Sequence, residues 1–484
     1  MAFDYDLTIL GTTGAAITGA IAAVNQQARV ALVSQTPADQ PLQSTRWPWV
    51  QHQRLVRSLH NVPPNFSPAS SQDSFDKVAT LATAQRFGQV WAVANTLESL
   101  ALAGVDVIHG KGQFLVPRRP KSPVALQVGE RILRSRVYLL ALPSITQIPP
   151  IPGLETVDYL TPQTLGQTLT ALPHHCLILG GSPYSLELAQ VLTRLGHRVT
   201  WITPTPYLLT GEDPELINLL RIQLLNQGIH LVCNATINKV EQQGQQQGQT
   251  ITLETSQGLL TGNALVVAGK EGADFGRLNL EALGITIANS SLQANAYLRT
   301  AHPQVYACGT ALGGYGLPHV ADYEARLAVT NGLFWPRKSV NYPSIPYTIF
   351  TDPPLARVGL TEPQARQRYG SQVRVLRVPL YTNLEAQLQD QTLGLCKVLA
   401  LANGQILGAH WFGAGATEGI ALLALALQQN LKLPALADYP MVSPSLGQVV
   451  QGVVEQWQRE ERDDRGWYQN LLRLYFNWRR TGNL

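Results

Sequence analysis

One local pattern occurs twice in this chain and limits its fold more than any other feature. Leu7-Thr8-Ile9-Leu10 is a short apolar run that ends at Gly11. Residues 15–27 follow with helical spacing and many alanines, and Arg29-Val30-Ala31-Leu32-Val33 is a second apolar run. Later, Cys176-Leu177-Ile178-Leu179 reaches Gly180-Gly181. Residues 186–195 then read as a helix closed by Gly196, and Arg198-Val199-Thr200-Trp201-Ile202 is the strand after it. Strand, glycine turn, helix and strand within roughly 30 residues is the first βαβ unit of a dinucleotide fold. Two such units predict two nucleotide-type domains, a repeat at domain scale rather than a solenoid.

The length of 484 residues suits two to four domains with ample cores. Charged residues make up only 14% and the net charge is +4, too weak a balance to argue for a nucleic-acid partner. Cys176, Cys233, Cys308 and Cys396 stand apart from one another, which excludes a zinc ribbon, a disulfide framework and a sequence-local dithiol, so no metal site is assigned. No apolar run of about 18 residues is present, so no membrane-spanning helix is expected. Asp4 and Asp6 fall where a signal peptide needs basic residues. The expectation is a soluble cytoplasmic protein in a reducing compartment.

Between the repeats, residues 51–105 read as mostly helical, broken by Pro63-Pro64 and the Ser/Pro stretch 67–71. Residues 242–249, rich in glutamine, read as a solvated hairpin tip between strands at 237–240 and 251–253. Residues 340–454 carry strands at 373–379, 396–400 and 406–410 and an apolar helix at 420–428. A charged stretch at 459–465 leads into a final helix, 467–480.

Several markers, weak singly, fall in a telling order. Asp4-Tyr5-Asp6-Leu7 opens the chain, Pro149-Pro150-Ile151-Pro152-Gly153 follows the first unit, and Leu186-Glu187-Leu188-Ala189 follows the second glycine turn. Ala268-Gly269-Lys270, Leu298-Arg299-Thr300, Val305-Tyr306-Ala307-Cys308-Gly309, Phe350-Thr351-Asp352-Pro353, Val358-Gly359-Leu360-Thr361, Gly408-Ala409-His410 and Glu418 complete the series. This order resembles the pyridine nucleotide–disulfide oxidoreductases, the family of glutathione reductase, dihydrolipoamide dehydrogenase and mercuric reductase. The resemblance covers roughly residues 4–455. It implies an α/β chain with two Rossmann-like domains and a C-terminal α+β dimerisation domain. The FAD-type domain would take residues 1–150 and 276–340, the inserted NAD(P)-type domain 151–275, the interface domain 341–455, and a C-terminal amphipathic extension 456–484. It also implies a homodimer with a shared active site.

The resemblance then fails where the family does its chemistry. The family carries Gly-Gly-Thr-Cys-x4-Cys after its second strand; here Pro41-Leu42-Gln43-Ser44-Thr45-Arg46-Trp47-Pro48-Trp49-Val50 contains no cysteine. A thiolate is needed to accept flavin electrons and to exchange with disulfides. The family's His-Pro-x-x-x-Glu segment reads Ser443-Pro444-Ser445-Leu446-Gly447-Gln448, and serine is no general acid at neutral pH. Disulfide reduction by the usual route is not expected, and no catalytic residue is assigned.

The cofactor positions are altered as well. In the first turn Gly11 is kept, Thr13 stands in the second glycine place with Gly14 beside it, and Ala16 stands in the third. Thr13 puts a branched Cβ where a pyrophosphate approaches, and Gly14 offers a way to relax the turn. Ser34 replaces the acid that would hold a ribose through both hydroxyls. Thr310 replaces an expected aspartate after Gly309. Gly112 and the helix start at His319, Val320 and Ala321 complete the candidate FAD set, the helix dipole facing the flavin. In the second turn Gly180 and Gly181 are followed by serines at the other two glycine places. Thr203 replaces the NAD ribose acid, and no arginine follows to meet an NADP phosphate. Glu187 and Gly269 complete that set, and the usual lysine partner of Glu187 is represented by Gln53 or Arg54.

Cys308 reads as a buried structural cysteine or a redox thiol, and His319 as a helix-start residue or a ligand contact. Trp47-Pro48-Trp49 reads as filling the vacated dithiol site and stacking on a flavin, as a plug of that site in the flavin's absence, or as an unrelated surface loop. Trp467, Leu471, Leu474 and Trp478 share one face of the final helix, with Arg473, Arg479 and Arg480 around it. This suits a protein groove, an anionic membrane surface or packing on the chain's own dimer. Two readings stand: a divergent FAD-dependent NAD(P)H oxidoreductase without a disulfide step, and a non-catalytic dimeric scaffold with degenerate FAD and NAD(P) sites.

Overall fold

The repeat seen in the sequence folds as two parallel sheets. The computed structural model describes residues 3–35, 97–116, 124–168, 172–244, 249–276, 278–314, 316–464 and 466–481. In the first sheet, strand β1 (Tyr5–Leu10) is followed by helix α1 (Gly14–Val24) and strand β2 (Val30–Ser34). β1 pairs in parallel with β2 on one side, Leu10 opposite Val33. It pairs with β3 (Arg131–Leu140) on the other, Leu10 opposite Leu140. The chain order reverses beside β1, so a crevice opens at the carboxyl ends of β1 and β3, where such sheets bind ligands. Leu7, Ile9 and Leu32 face one buried cluster with α1, and Leu10, Val33 and Leu140 face another. Burial on both faces explains the continuous apolar runs.

The second sheet repeats the plan. Strand β4 (His175–Leu179), helix α2 (Pro183–Arg194) and strand β5 (Arg198–Ile202) are followed by β6 (Ala264–Val267). β4 lies between β5 and β6, both parallel to it. Strand β7 (Val305–Ala307) then returns to the first sheet beside β3, and helix α3 (Pro318–Leu333) packs on α1. Helix α2 begins at Pro183, earlier than the sequence suggested, because Ser182 caps it and proline is favoured in a first turn. The glutamine-rich hairpin is present, Ile237–Gln243 against Thr250–Thr255. Gln242 is not simply solvated: its Oε1 accepts from the Asp158 N–H at 2.8 Å and its amide donates to Gln249 at 3.2 Å.

The chain divides into two compact units. One holds 1–207 and 228–340; the other holds 208–227 and 341–484. In the second unit, five antiparallel strands run in the order Tyr347–Ile349, Leu355–Gly359, Ile406–Gly413, Gly394–Leu401, Val373–Pro379. Helices Ala416–Gln428 and α4 (Gln448–Asp464) contribute to its core around Trp411 and Val453. In the charged stretch, residues 459–464 form the last turns of α4, where Arg459 and Glu455 sit i, i+4 at 3.8 Å. Helix α5 (Gly466–Arg480) follows. No helix among the described residues is long and apolar enough to cross a membrane.

Candidate functional site

The two crevices are built alike. Gly11 has φ +123°, and a Cβ on it would lie 2.1 Å from the Ala141 carbonyl oxygen. Gly180 has φ +144°, and its Cβ would lie 2.1 Å from the Ala268 oxygen. Only glycine fits either turn. Each turn then uses a hydroxyl in the second glycine place. Thr13 Oγ1 accepts from the Ala16 N–H at 3.2 Å and donates to Ala141 O at 3.0 Å. Ser182 Oγ accepts from the Ser185 N–H at 3.2 Å and donates to Ala268 O at 3.2 Å. Each hydroxyl caps its helix and ties it to the residue just beyond β3 or β6. Thr13 is therefore a cap as well as an obstruction. Its backbone is ordinary extended chain, and Gly14 begins the helix rather than relaxing the turn. Ala16 is buried in the third place, where it permits close helix–strand packing.

The ribose ends of the two crevices differ. Ser34 is buried at the end of β2, and its carbonyl accepts the Gly110 N–H at 2.9 Å. The next side chain, Gln35, has a buried Nε2 with no hydrogen-bond partner. A buried amide left unpaired costs about 1–3 kcal/mol, so this donor marks a place where a polar group belongs. Nothing in the sequence around Ser34 marks Gln35 as such a residue. Among the described residues, the ribose end of the second crevice shows no such vacancy. Thr203 is buried, its Oγ1 lies 2.9 Å from Thr205 Oγ1, and Thr205 donates to Tyr207 O at 2.9 Å. Ser185 Oγ donates to Gly180 O and Ser182 O at 3.0 and 2.7 Å, and the Trp201 indole also donates to Gly180 O. A Cβ on Gly181 would lie 2.6 Å from Thr203 Oγ1. Glu187 is buried within α2, and Gly269 follows Ala268 against the Gln147 carbonyl.

The remaining first-crevice residues converge on β3. Thr310 Oγ1 donates to Leu142 O at 3.2 Å, beside the Thr13–Ala141 contact. Gly309 adopts φ +64°, but its N–H is spent on Glu324 Oε2 at 2.6 Å. Helix α3 starts at Pro318 with Leu317 at its N-cap and no side-chain cap. Val320 and Ala321 lie in that first turn, and their N–H groups reach Leu317 O at 3.1 and 3.0 Å. His319 is exposed there rather than packed. Gly112 lies apart, where a Cβ would meet Leu126 and Leu10. The first crevice thus fits FAD: a glycine turn, an orphan amide at the ribose end and an uncapped helix start. The second is closed on its own side chains and does not fit NAD(P).

All four cysteines are free. Cys308 is fully buried, and burial, then Glu324 and Asp322, push its thiol well above the ordinary value. Burial pushes Cys176 up to about 12 and also raises Cys396. A thiolate is the reactive form, so these three are structural. The cysteine-free segment 41–50, including Trp47-Pro48-Trp49, lies outside the described residues, as do Gln53 and Arg54. Ser443 is exposed, and Gln448, in the family's glutamate place, accepts from the Ser445 N–H at 3.2 Å as an ordinary helix-start contact.

An ionic cluster in the second unit had no sequence signal. Lys397 Nζ is buried and lies 2.9, 2.8 and 2.7 Å from carboxylate oxygens of Asp213, Glu215 and Glu362. Burial works against the Lys397 charge, but the three hydrogen bonds outweigh it and raise its pKa. Burial likewise opposes ionisation of Glu215 and Glu362. The Lys397 bond shared by both, joined by Arg377 at Glu215 and Arg366 at Glu362, still holds them below the ordinary carboxylate range. Among the described residues no group of His, Cys, Asp and Glu has a metal-binding arrangement.

Residues 5–325 match the family described as pyridine nucleotide-disulphide oxidoreductase, and residues 345–453 match its dimerisation domain. The chain is 29% identical to mercuric reductase of Staphylococcus aureus over 443 residues, covering 90% of this chain and 79% of that protein. It is 26% identical to dihydrolipoyl dehydrogenase of Chlorobaculum tepidum over 464 residues, covering 93% and 96%. The crystal structure of LpdA from Mycobacterium tuberculosis superposes with a TM-score of 0.82 at 22% identity, covering 93% of this chain and 99% of that one. The fold is therefore two Rossmann-like FAD/NAD(P)-type domains with a dimerisation domain.

Proposed function

Because the chain belongs to the pyridine nucleotide-disulphide oxidoreductase family, whose members bind FAD and NAD(P)H, we propose that it is a FAD-binding oxidoreductase that does not work through a cysteine pair. The observation that carries this reading is the contrast between the crevices. The first holds an unpaired buried amide at Gln35, whereas the second satisfies Thr203, Ser185 and Trp201 internally. In this reading Gly11 and the start of α1 meet the pyrophosphate, Gln35 meets the adenosine ribose, and the uncapped start of α3 faces the flavin. Bound FAD would supply two-electron acceptance and donation. Cys308 sits at the end of β7 but stays a thiol, so the protein offers no sulfur relay.

The electron donor is NAD(P)H or another reductant, and the closed second turn favours another reductant. The FAD-type domain spans residues 1–150 and 276–340, the NAD(P)-type domain 151–275 and the interface domain 341–455. The working form is a cytoplasmic homodimer whose C-terminal helix contacts a further partner or surface. A second reading, a non-catalytic dimeric scaffold, is favoured by the paired hydroxyl caps Thr13 and Ser182, which take up helix-start donors in both turns. One experiment separates them. The full chain is purified, its flavin absorbance band recorded before and after FAD addition, and turnover of oxidised glutathione and lipoamide measured. A flavin band without disulfide turnover supports the first reading; a chain that ignores added FAD supports the second.

A further inference from the structure

From residue 470 onward, helix α5 leaves its apolar side chains exposed to water. Every described residue from 470 to 481 is exposed. Leu474 is 65% exposed and Leu471 52%, and Leu472, Tyr475, Phe476 and Trp478 are exposed with them. Tyr475 meets Phe476 edge-on at 5.4 Å and lies 6.2 Å from Trp478, so the three rings form one patch. A helix of this length is marginal alone in water. A contiguous apolar surface of this kind marks a place that something covers.

Two observations choose what covers it. The first is charge. The fifteen residues of α5 hold Arg473, Arg479 and Arg480 and no acidic residue, while the whole chain of 484 residues carries only +4. The complementary surface is rich in negative charge. The second is the width of the apolar arc. At 100° per residue, the six exposed apolar side chains span roughly 200° of the helix, with Asn470, Arg473, Asn477 and Arg480 on the opposite side. A helix seated in a protein groove needs only a stripe at i, i+3, i+4 and i+7. An arc of half the circumference, backed by cations, is the pattern of a helix lying in the plane of a bilayer surface. Arg479 falls inside the apolar arc, where a long side chain reaches past it to the headgroups. The helix is about 22 Å long, short of the ~30 Å hydrocarbon core.

We propose that α5 is a peripheral anchor that lies in the headgroup layer of an anionic lipid bilayer. The inference holds whichever cofactor the crevices take. The test is co-sedimentation of the full chain with phosphatidylglycerol-containing vesicles and with pure phosphatidylcholine vesicles at moderate salt. Three surface arginines predict binding about 100-fold tighter to the anionic vesicles. R473Q/R479Q/R480Q should lose that preference, and L474S/W478S should lose binding to both. An unchanged elution position for both variants establishes that they fold. A chain that stays in the supernatant with both vesicles overturns the proposal, and so does equal binding to both. It also fails if the native chain forms an assembly larger than a dimer that L474S/W478S breaks, because a second copy then covers the face.

Discussion

Thr13 is the residue through which the first crevice is most directly tuned. Its hydroxyl takes the Ala16 N–H at 3.2 Å, a donor that a glycine would leave to a phosphate oxygen. In Thr13→Gly that donor returns to the ligand. A hydrogen bond to a charged group is worth about 1.5–3 kcal/mol. Against this stand a few tenths for replacing the cap by glycine and about 0.5–1 kcal/mol of added chain freedom. The net gain is about 0.2–2 kcal/mol, or FAD binding roughly 1.4- to 30-fold tighter. Thr13→Ala frees the same N–H but keeps a Cβ near the pyrophosphate, so its gain should be smaller. The assay is quenching of FAD fluorescence on titration with each protein at one ionic strength, alongside a thermal transition. An unchanged or weaker FAD affinity in a Thr13→Gly chain with a native-like transition would refute the argument.

Three further outcomes follow from the geometry. Gln35→Leu removes the orphan amide and should weaken FAD by roughly three- to tenfold while leaving stability unchanged or slightly raised; the same titration reads both directions. Lys397→Met strands Asp213, which is 1% exposed, so the second unit should lose about 3 kcal/mol. For a unit of this size that lowers its melting midpoint by about 6–12 °C, with partial recovery on adding Asp213→Asn. The depressed Glu215 and Glu362 carboxyls contribute stability above the ordinary carboxylate pKa that is lost as pH falls through their folded values. The raised Lys397 contributes below the ordinary lysine pKa and is lost as pH rises through its folded value. Thermal midpoints of native chain and variant should therefore converge at both extremes. Finally, Ellman's reagent should find one fast thiol, Cys233, in the native chain and four after denaturation.

The sequence carried the frame because its signals were local. Continuous apolar runs at 7–10 and 176–179 became strands buried on both faces, and Gly11 and Gly180 became turns that no other residue fits. The strand expected at 373–379 is present with those bounds. What escaped was set by partners distant in the chain. Lys397 meets residues 213, 215 and 362, which no spacing rule brings together. Gln35 looks ordinary until the structure shows its amide buried and unpaired. Thr13 could be seen as a lost glycine, but its cap depended on the Ala141 carbonyl arriving from β3. The charged stretch 459–465 lacks glycine and proline before Gly466, and its i, i+4 pairing suits the helix that 459–464 form.

Electron counting tests the proposed flavin chemistry most directly. The FAD-loaded full chain should be titrated anaerobically with dithionite, following the flavin band. Two electrons per flavin to complete bleaching are predicted, because none of the four cysteines is paired to hold two more. An endpoint of four electrons per flavin, or a preparation that takes up no FAD to bleach, would contradict it.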